Sequence, residues 1–134
     1  MKYYIDTCIW IDYWENRSDN FRPLGEFAFN FFNKLNEEDS IYYSDLTIKE
    51  LRTKYSNETI NKIFSVIEIS QILFLESNSD NYKLAELISK ASLVHKSDAL
   101  HIVLAIEVDA KFITRDKQIL LSGLIKAHTP EELI

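Results

Sequence analysis

Short runs of β-branched and aromatic residues alternate along the chain with longer segments whose apolar positions recur at helical spacing. That alternation is the pattern of a parallel sheet flanked by helices. Strands are predicted at Lys2 to Ile5, Ile41 to Tyr43, Ile72 to Leu75, Lys111 to Thr114 and Leu124 to Ala127. Helices are predicted at Ile9 to Glu15, Glu26 to Asn36, Ile48 to Tyr55, Asn61 to Ile69, Asn81 to Leu93, Asp98 to Val108 and Lys117 to Leu121. Thr129 followed by Pro130 starts a terminal turn, since proline is pre-set for the first helical position.

The patterns also say which faces are buried. At about 100° per residue, Phe27, Ala28, Phe31, Phe32 and Leu35 share one arc and Phe29 falls opposite, a candidate for an exposed contact. The segment from Ala99 to Ile106 is apolar almost all round, so its helix should lie buried against the sheet, with Ser97 as its expected N-cap.

Composition narrows this picture. The 134 residues fit one domain spanning 1–134, and 46% hydrophobic content supplies its core. With 2 glycines and 2 prolines, turn-dense sandwiches and disordered linkers are disfavoured, and neither glycine-rich phosphate loop can be written. Cys8 is the single cysteine, which removes an internal disulfide and multi-cysteine zinc sites and points to a reducing, cytoplasmic setting. The start, KYYID, reads as a strand rather than a signal peptide. No apolar run approaches the roughly 18 residues of a membrane span, so no membrane partner is expected.

In such sheets ligands sit beyond the carboxyl ends of the strands, where the strand order reverses. Asp6 follows the first strand and Asp116 the fourth. Asp98 opens the buried helix leading into the fourth strand, and Glu50 is expected in the first turn of the helix after the second. Four carboxylates thus have reason to converge, and convergence without a cation is costly. Oxygen-only donors favour Mg²⁺ or Mn²⁺ over zinc. Each acid also has a purely structural reading: Thr47 to Glu50 spells a T-x-x-E capping box, and Asp98 suits a helix N-terminus.

Three blocks, YIDTCIWIDYWE, SDLTIKEL and KSDALHIVLAIEVDAKFITRDKQIL, resemble the signature blocks of PIN domains, particularly the small VapC-type toxins. The resemblance covers nearly the whole chain. It implies an α/β/α three-layer sandwich with a central parallel sheet of about five strands. It also implies an acidic site that binds Mg²⁺ or Mn²⁺ and cleaves RNA. Carried over, Asp6, Glu50, Asp98 and Asp116 match the catalytic quartet, with Asp6, Asp98 and Asp116 as metal ligands and Thr114 as the auxiliary hydroxyl. Cys8 departs from the Asn or Ser common at its position. The family further implies an RNA substrate, a cognate antitoxin partner and a homodimer. In VapC-type proteins the aromatic helical region commonly meets the antitoxin.

Lys49, Lys96, Arg115 and Lys117 adjoin three of the acids and are candidate RNA-binding residues, set against a reading in which they only soften carboxylate repulsion. His101, one helical turn after Asp98, is expected as a hydrogen-bonded core histidine that can reach a site carboxylate. A haloacid-type phosphatase needs D-x-D, which Cys8 breaks, and a receiver domain needs acids before Asp6, which are missing. The rival from another class is a non-catalytic PIN-like RNA-binding or scaffold module. The net charge of −6 falls to −2 without the quartet, so acidity argues only weakly against an enzyme acting on a polyanion.

Overall fold

The computed structural model describes residues 1–134. Five strands, β1 (Lys2–Ile5), β2 (Ser40–Ser44), β3 (Ile72–Leu75), β4 (Lys111–Ile113) and β5 (Ala127–His128), form one all-parallel sheet in the order β3-β2-β1-β4-β5. Chain order runs outward from β1 to β3 on one side and from β4 to β5 on the other. The strand order therefore reverses between β1 and β4.

Seven helices cover the sheet: α1 (Thr7–Glu15), α2 (Leu24–Asn33), α3 (Asp45–Arg52), α4 (Asn57–Phe64), α5 (Ser79–Ala91), α6 (Lys96–Glu107) and α7 (Lys117–Ser122). A 3₁₀ turn at Pro130–Leu133 follows β5. Period-two alternation along the strands divides the core in two. Tyr4, Tyr42 and Phe112 point to one face and pack with Ala85 of α5 and with Ala99, Leu100, Ile102, Val103, Leu104 and Ala105 of α6. Ile5, Ile41 and Ile113 point to the other and pack with Ile9, Trp10, Ala28, Phe31, Phe32, Leu51, Ile60 and Ile63. The result is a three-layer α/β/α sandwich.

The expected strands and helices are all present, with shifted ends. The helix expected at Asn61 to Ile69 shifts most, to Asn57–Phe64, where Ser56 caps it; among the strands the last shifts most, to Ala127–His128 rather than Leu124 to Ala127, because only this stretch pairs with Phe112 and Ile113. The helix expected from Asp98 starts at Lys96, capped by the backbone of His95 with no side-chain cap bond, so Ser97 is not the N-cap. Phe29 is exposed, as its place opposite the apolar arc required.

The T-x-x-E reading of Thr47 to Glu50 is overturned. The capping box at α3 joins Ser44, the last residue of β2, to Thr47, whose hydroxyl accepts from the Ser44 amide. The helix therefore starts directly at the strand end, and Glu50 lies in its second turn, released from capping. Close approach of α1 and α2 depends on Gly25, where a Cβ would stand 2.5 Å from the Asn16 Cα.

Candidate active site

The four predicted acids come from four different elements and line one cavity of about 500 Å³. Asp6 caps α1 immediately after β1, Glu50 is on α3, Asp98 is in the first turn of α6, and Asp116 caps α7 after β4. The cavity sits at the carboxyl edge of the sheet, and Asp6 and Asp116 flank the strand-order reversal. Thr7, Cys8, Ile11, Arg17, Thr53, Lys54 and Arg115 complete its wall.

Each acid is held differently. The Asp6 amide donates to the Ile113 carbonyl at 2.9 Å, extending the β1–β4 ladder to the cavity floor. Thr114, fully buried, donates to Asp6 Oδ2 at 2.7 Å and accepts from the Asp116 amide at 3.0 Å. This one hydroxyl therefore fixes the Asp6 and Asp116 loops to each other. The Cys8 thiol approaches Asp6 Oδ2 at 3.7 Å. Asp116 Oδ1 accepts from the Gln118 and Ile119 amides at 2.8 and 3.3 Å, an N-cap that leaves Oδ2 without a protein donor. Glu50 Oε1 accepts from Thr7 at 2.9 Å and meets His101 Nε2 at 2.5 Å, leaving Oε2 without a protein donor.

His101 is fully buried, and its other nitrogen lies 2.6 Å from the Tyr4 hydroxyl, which is 2.7 Å from Ser44 Oγ. It is both a core histidine and a neighbour of a site carboxylate. Burial alone would lower its pKa, but the Glu50 bond and the charges of Asp6, Glu50 and Asp98 outweigh burial and hold it above the ordinary value. Such a partner fixes the orientation of a carboxylate.

The electrostatics follow from crowding like charges. Burial, then the charges of Asp6 and Asp116, push Asp98 up to about 6. Burial also raises Asp6, against the lowering effects of His101 and Thr114. Glu50 is lowered: burial works against this, and the His101 and Thr7 bonds prevail. A carboxylate raised by its neighbours gains from any cation placed among them.

As the side chains stand, no three His, Cys, Asp or Glu residues are close enough to share one ion. The donor set nevertheless fits a hard divalent cation. It is all oxygen, and Glu50 and Asp116 are each anchored through one oxygen with the other left without a protein donor. Its mutual repulsion also raises Asp98.

The predicted basic residues separate. Lys49, Lys96 and Lys117 do not line the cavity, whereas Arg115 does. Arg115 is committed elsewhere: its Nε donates to Asp12 at 3.2 Å and its two terminal nitrogens to Glu131 at 2.9 and 2.8 Å. It ties the Asp116 loop to α1 and the C-terminal turn. Arg17 and Lys54, which sequence reasoning did not single out, line the cavity instead.

The sequence matches the PIN-domain family over residues 3–121. The chain belongs to the PIN-domain family. Nuclease activity, generally with divalent metal ions, is typical of this family. No curated protein matches the chain in sequence. Among solved structures it is similar to a toxin–antitoxin complex from Klebsiella pneumoniae, at 20% identity over 95% of this chain and 96% of that one, with a TM-score of 0.67. It is similar also to VapBC-1 from nontypeable Haemophilus influenzae, at 18% identity over 97% and 98%, TM-score 0.66. VapBC2 from Rickettsia felis, solved bound to a promoter DNA fragment, aligns at 15% identity over 96% and 98%, TM-score 0.67. At these identities the likeness establishes a shared PIN fold across nearly the full length of both chains. No helix is long and apolar enough to cross a membrane.

Proposed function

We propose that this PIN domain is a Mg²⁺- or Mn²⁺-dependent endoribonuclease and the toxin of a type II toxin–antitoxin pair. The observation that carries the reading is the convergence of Asp6, Glu50, Asp98 and Asp116, from four elements, on one cavity at the strand-order reversal. A domain without chemistry gains nothing by assembling charges that raise Asp98. The partner assignment, a cognate antitoxin, is supported by the toxin–antitoxin complexes among the structural neighbours. A homodimer and cytoplasmic action belong to the same reading.

In this proposal Asp6, Asp98 and Asp116 hold the cation and Glu50 orients the attacking water. When bound, the cation supplies charge neutralisation at the phosphate and acidifies that water. The chain's own residues do the positioning. Thr114 sets the spacing of the Asp6 and Asp116 loops, and His101 with Thr7 holds one oxygen of Glu50 and leaves the other without a protein donor. Water adds at phosphorus, the P–O bond to the departing nucleotide breaks, and the proton released from water passes to solvent or to the leaving oxygen.

The test is incubation of the purified protein with structured RNA and Mg²⁺ or Mn²⁺, with and without chelator, beside Asp98→Asn. Cleavage that needs metal and is lost in the variant is the expected result. Equal cleavage by both proteins would overturn the site assignment, and absence of cleavage of any RNA would overturn the enzyme reading.

A further inference from the structure

We infer that Arg17 and Lys54 form a phosphate-binding wall that holds the RNA backbone beside the scissile phosphodiester. This inference rests on the nuclease reading and assigns its cavity a second function, carried by residues from two other points of the fold. Arg17 lies just beyond the end of α1 and Lys54 just beyond the end of α3, and both line the cavity that holds the four acids.

Availability separates these two cations from the third. The Arg115 side chain is only 13% exposed and is spent on Asp12 and Glu131, whereas those of Arg17 and Lys54 are each 42% exposed. Both lean on Glu15: Arg17 Nε lies 3.2 Å from its Oε1 and Lys54 Nζ 3.0 Å from its Oε2, and Arg17 Nη1 stands 3.9 Å from Asp12 Oδ1 as well. The Tyr55 hydroxyl, then Lys54, hold the Glu15 pKa down to about 2, so this acid is ionised at any working pH. Two cations share the one Glu15 carboxylate, so it cannot satisfy both in full. Arg17 retains terminal guanidinium donors and Lys54 retains two ammonium donors beyond the Glu15 contacts, and these are what a phosphate oxygen takes.

The arrangement also solves a problem of approach. A polyanion entering an acidic cavity meets repulsion that a cation among the carboxylates relieves only at one point. A basic wall gives the flanking phosphates a second anchor. Glu15 then acts as an internal competitor that a phosphate partly displaces. Removing its charge while keeping its shape should strengthen RNA binding, an effect that structural damage does not imitate.

The test uses the full chain in Mn²⁺ with a fluorescently labelled single-stranded RNA and a DNA of the same sequence. Affinity and cleavage are measured across a KCl series for wild type, Arg17→Gln, Lys54→Gln, the double variant, Glu15→Gln, and Lys90→Gln as a charge-matched control remote from the cavity. Each lost phosphate contact should flatten the slope of log affinity against log salt by about 0.7, and the double variant by about 1.4. RNA and DNA should lose the same slope, KM should rise more than kcat falls, Glu15→Gln should bind more tightly, and the control should follow wild type. Unchanged slopes in the double variant, a slope lost only with DNA, or weaker binding by Glu15→Gln would each overturn the wall. Wild type that binds RNA without cutting it overturns the nuclease reading alone, and the slopes still decide the wall. Wild type that neither binds nor cuts overturns both.

Discussion

Neutralising Asp98 should stabilise the metal-free protein. Its carboxyl titrates at about 6 instead of 3.8, because of burial and the charges of Asp6 and Asp116. A shift of about two units corresponds to roughly 3 kcal/mol at about 1.4 kcal/mol per unit. Asp98 is partly exposed, and solvent screening reduces this to about 1.5 kcal/mol. For 134 residues, with an unfolding entropy near 2.1 cal/mol/K per residue, that is about 5 °C in Tm. The sign follows from linkage: an acid whose pKa is raised by folding costs nothing below its unfolded value, and the cost grows until pH passes the folded value. Asp98→Asn should therefore melt about 5 °C above wild type at pH 8 in chelator, and by only about a third of that margin at pH 4.5. Mn²⁺ at about a hundred times its dissociation constant should add roughly 2.7 kcal/mol to wild type and reverse the order. The assay is thermal unfolding followed by circular dichroism. If the variant in chelator at pH 8 melts at or below wild type, burial and the neighbouring acids do not penalise the Asp98 carboxylate in the fold, and the electrostatic case for a cation falls.

Three further outcomes follow from individual contacts. Tyr4→Phe leaves the fully buried His101 without its hydroxyl partner and should cost about 1–3 kcal/mol, read as a fall of roughly 4–10 °C in Tm; no change would show that His101 does not depend on that bond. Gly25→Ala drives a methyl group into the Asn16 backbone and the Asp12 carbonyl; a cost of about 1–3 kcal/mol in urea unfolding is expected, and neutrality would show that α1 and α2 separate freely. Arg115→Met takes the hydrogen-bonded partner from Asp12, which is only 4% exposed and keeps Arg17 Nη1 at 3.9 Å, and should cost about 2 kcal/mol, whereas Lys117→Met, on an exposed side chain, should cost under about 0.5 kcal/mol; equal costs would return Arg115 to the class of solvated cations.

The acids were legible in the sequence because strand ends and register are. Asp6 and Asp116 each follow a short apolar strand, and Ile5 pairs with Ile113, so the next polar residues on the two strands must meet at the same edge. Glu50 was legible as a residue but not in its phase. Ser44-x-x-Thr47 and Thr47-x-x-Glu50 overlap as capping patterns, and the choice between them was made by β2, which ends at Ser44 and leaves no loop before the helix. A tertiary constraint settled what local chemistry left open.

Lys49 and Lys96 stand away from the cavity for a geometric reason. Lys49 is next to Glu50, and Lys96 is two residues before Asp98, yet neighbours one or two apart on a helix do not face each other. Adjacency in sequence therefore carries cations away from the acid, and neither lysine lines the cavity. The spacing that does bring residues to one face is four, and Lys54 stands four beyond Glu50, on the turn that closes α3. That spacing was available as a signal. Arg17 offered none, because it reaches the cavity from beyond the α1 C-cap at Asn16, whose left-handed backbone (φ 49°) turns the chain. Their common partner, Glu15, contacts Lys54 across 39 positions of sequence. The carboxylates are set by the edge of one sheet and the cations by the meeting of two helix ends. Only the first is written in local pattern, and the second exists only once α1 and α3 have packed on the same face.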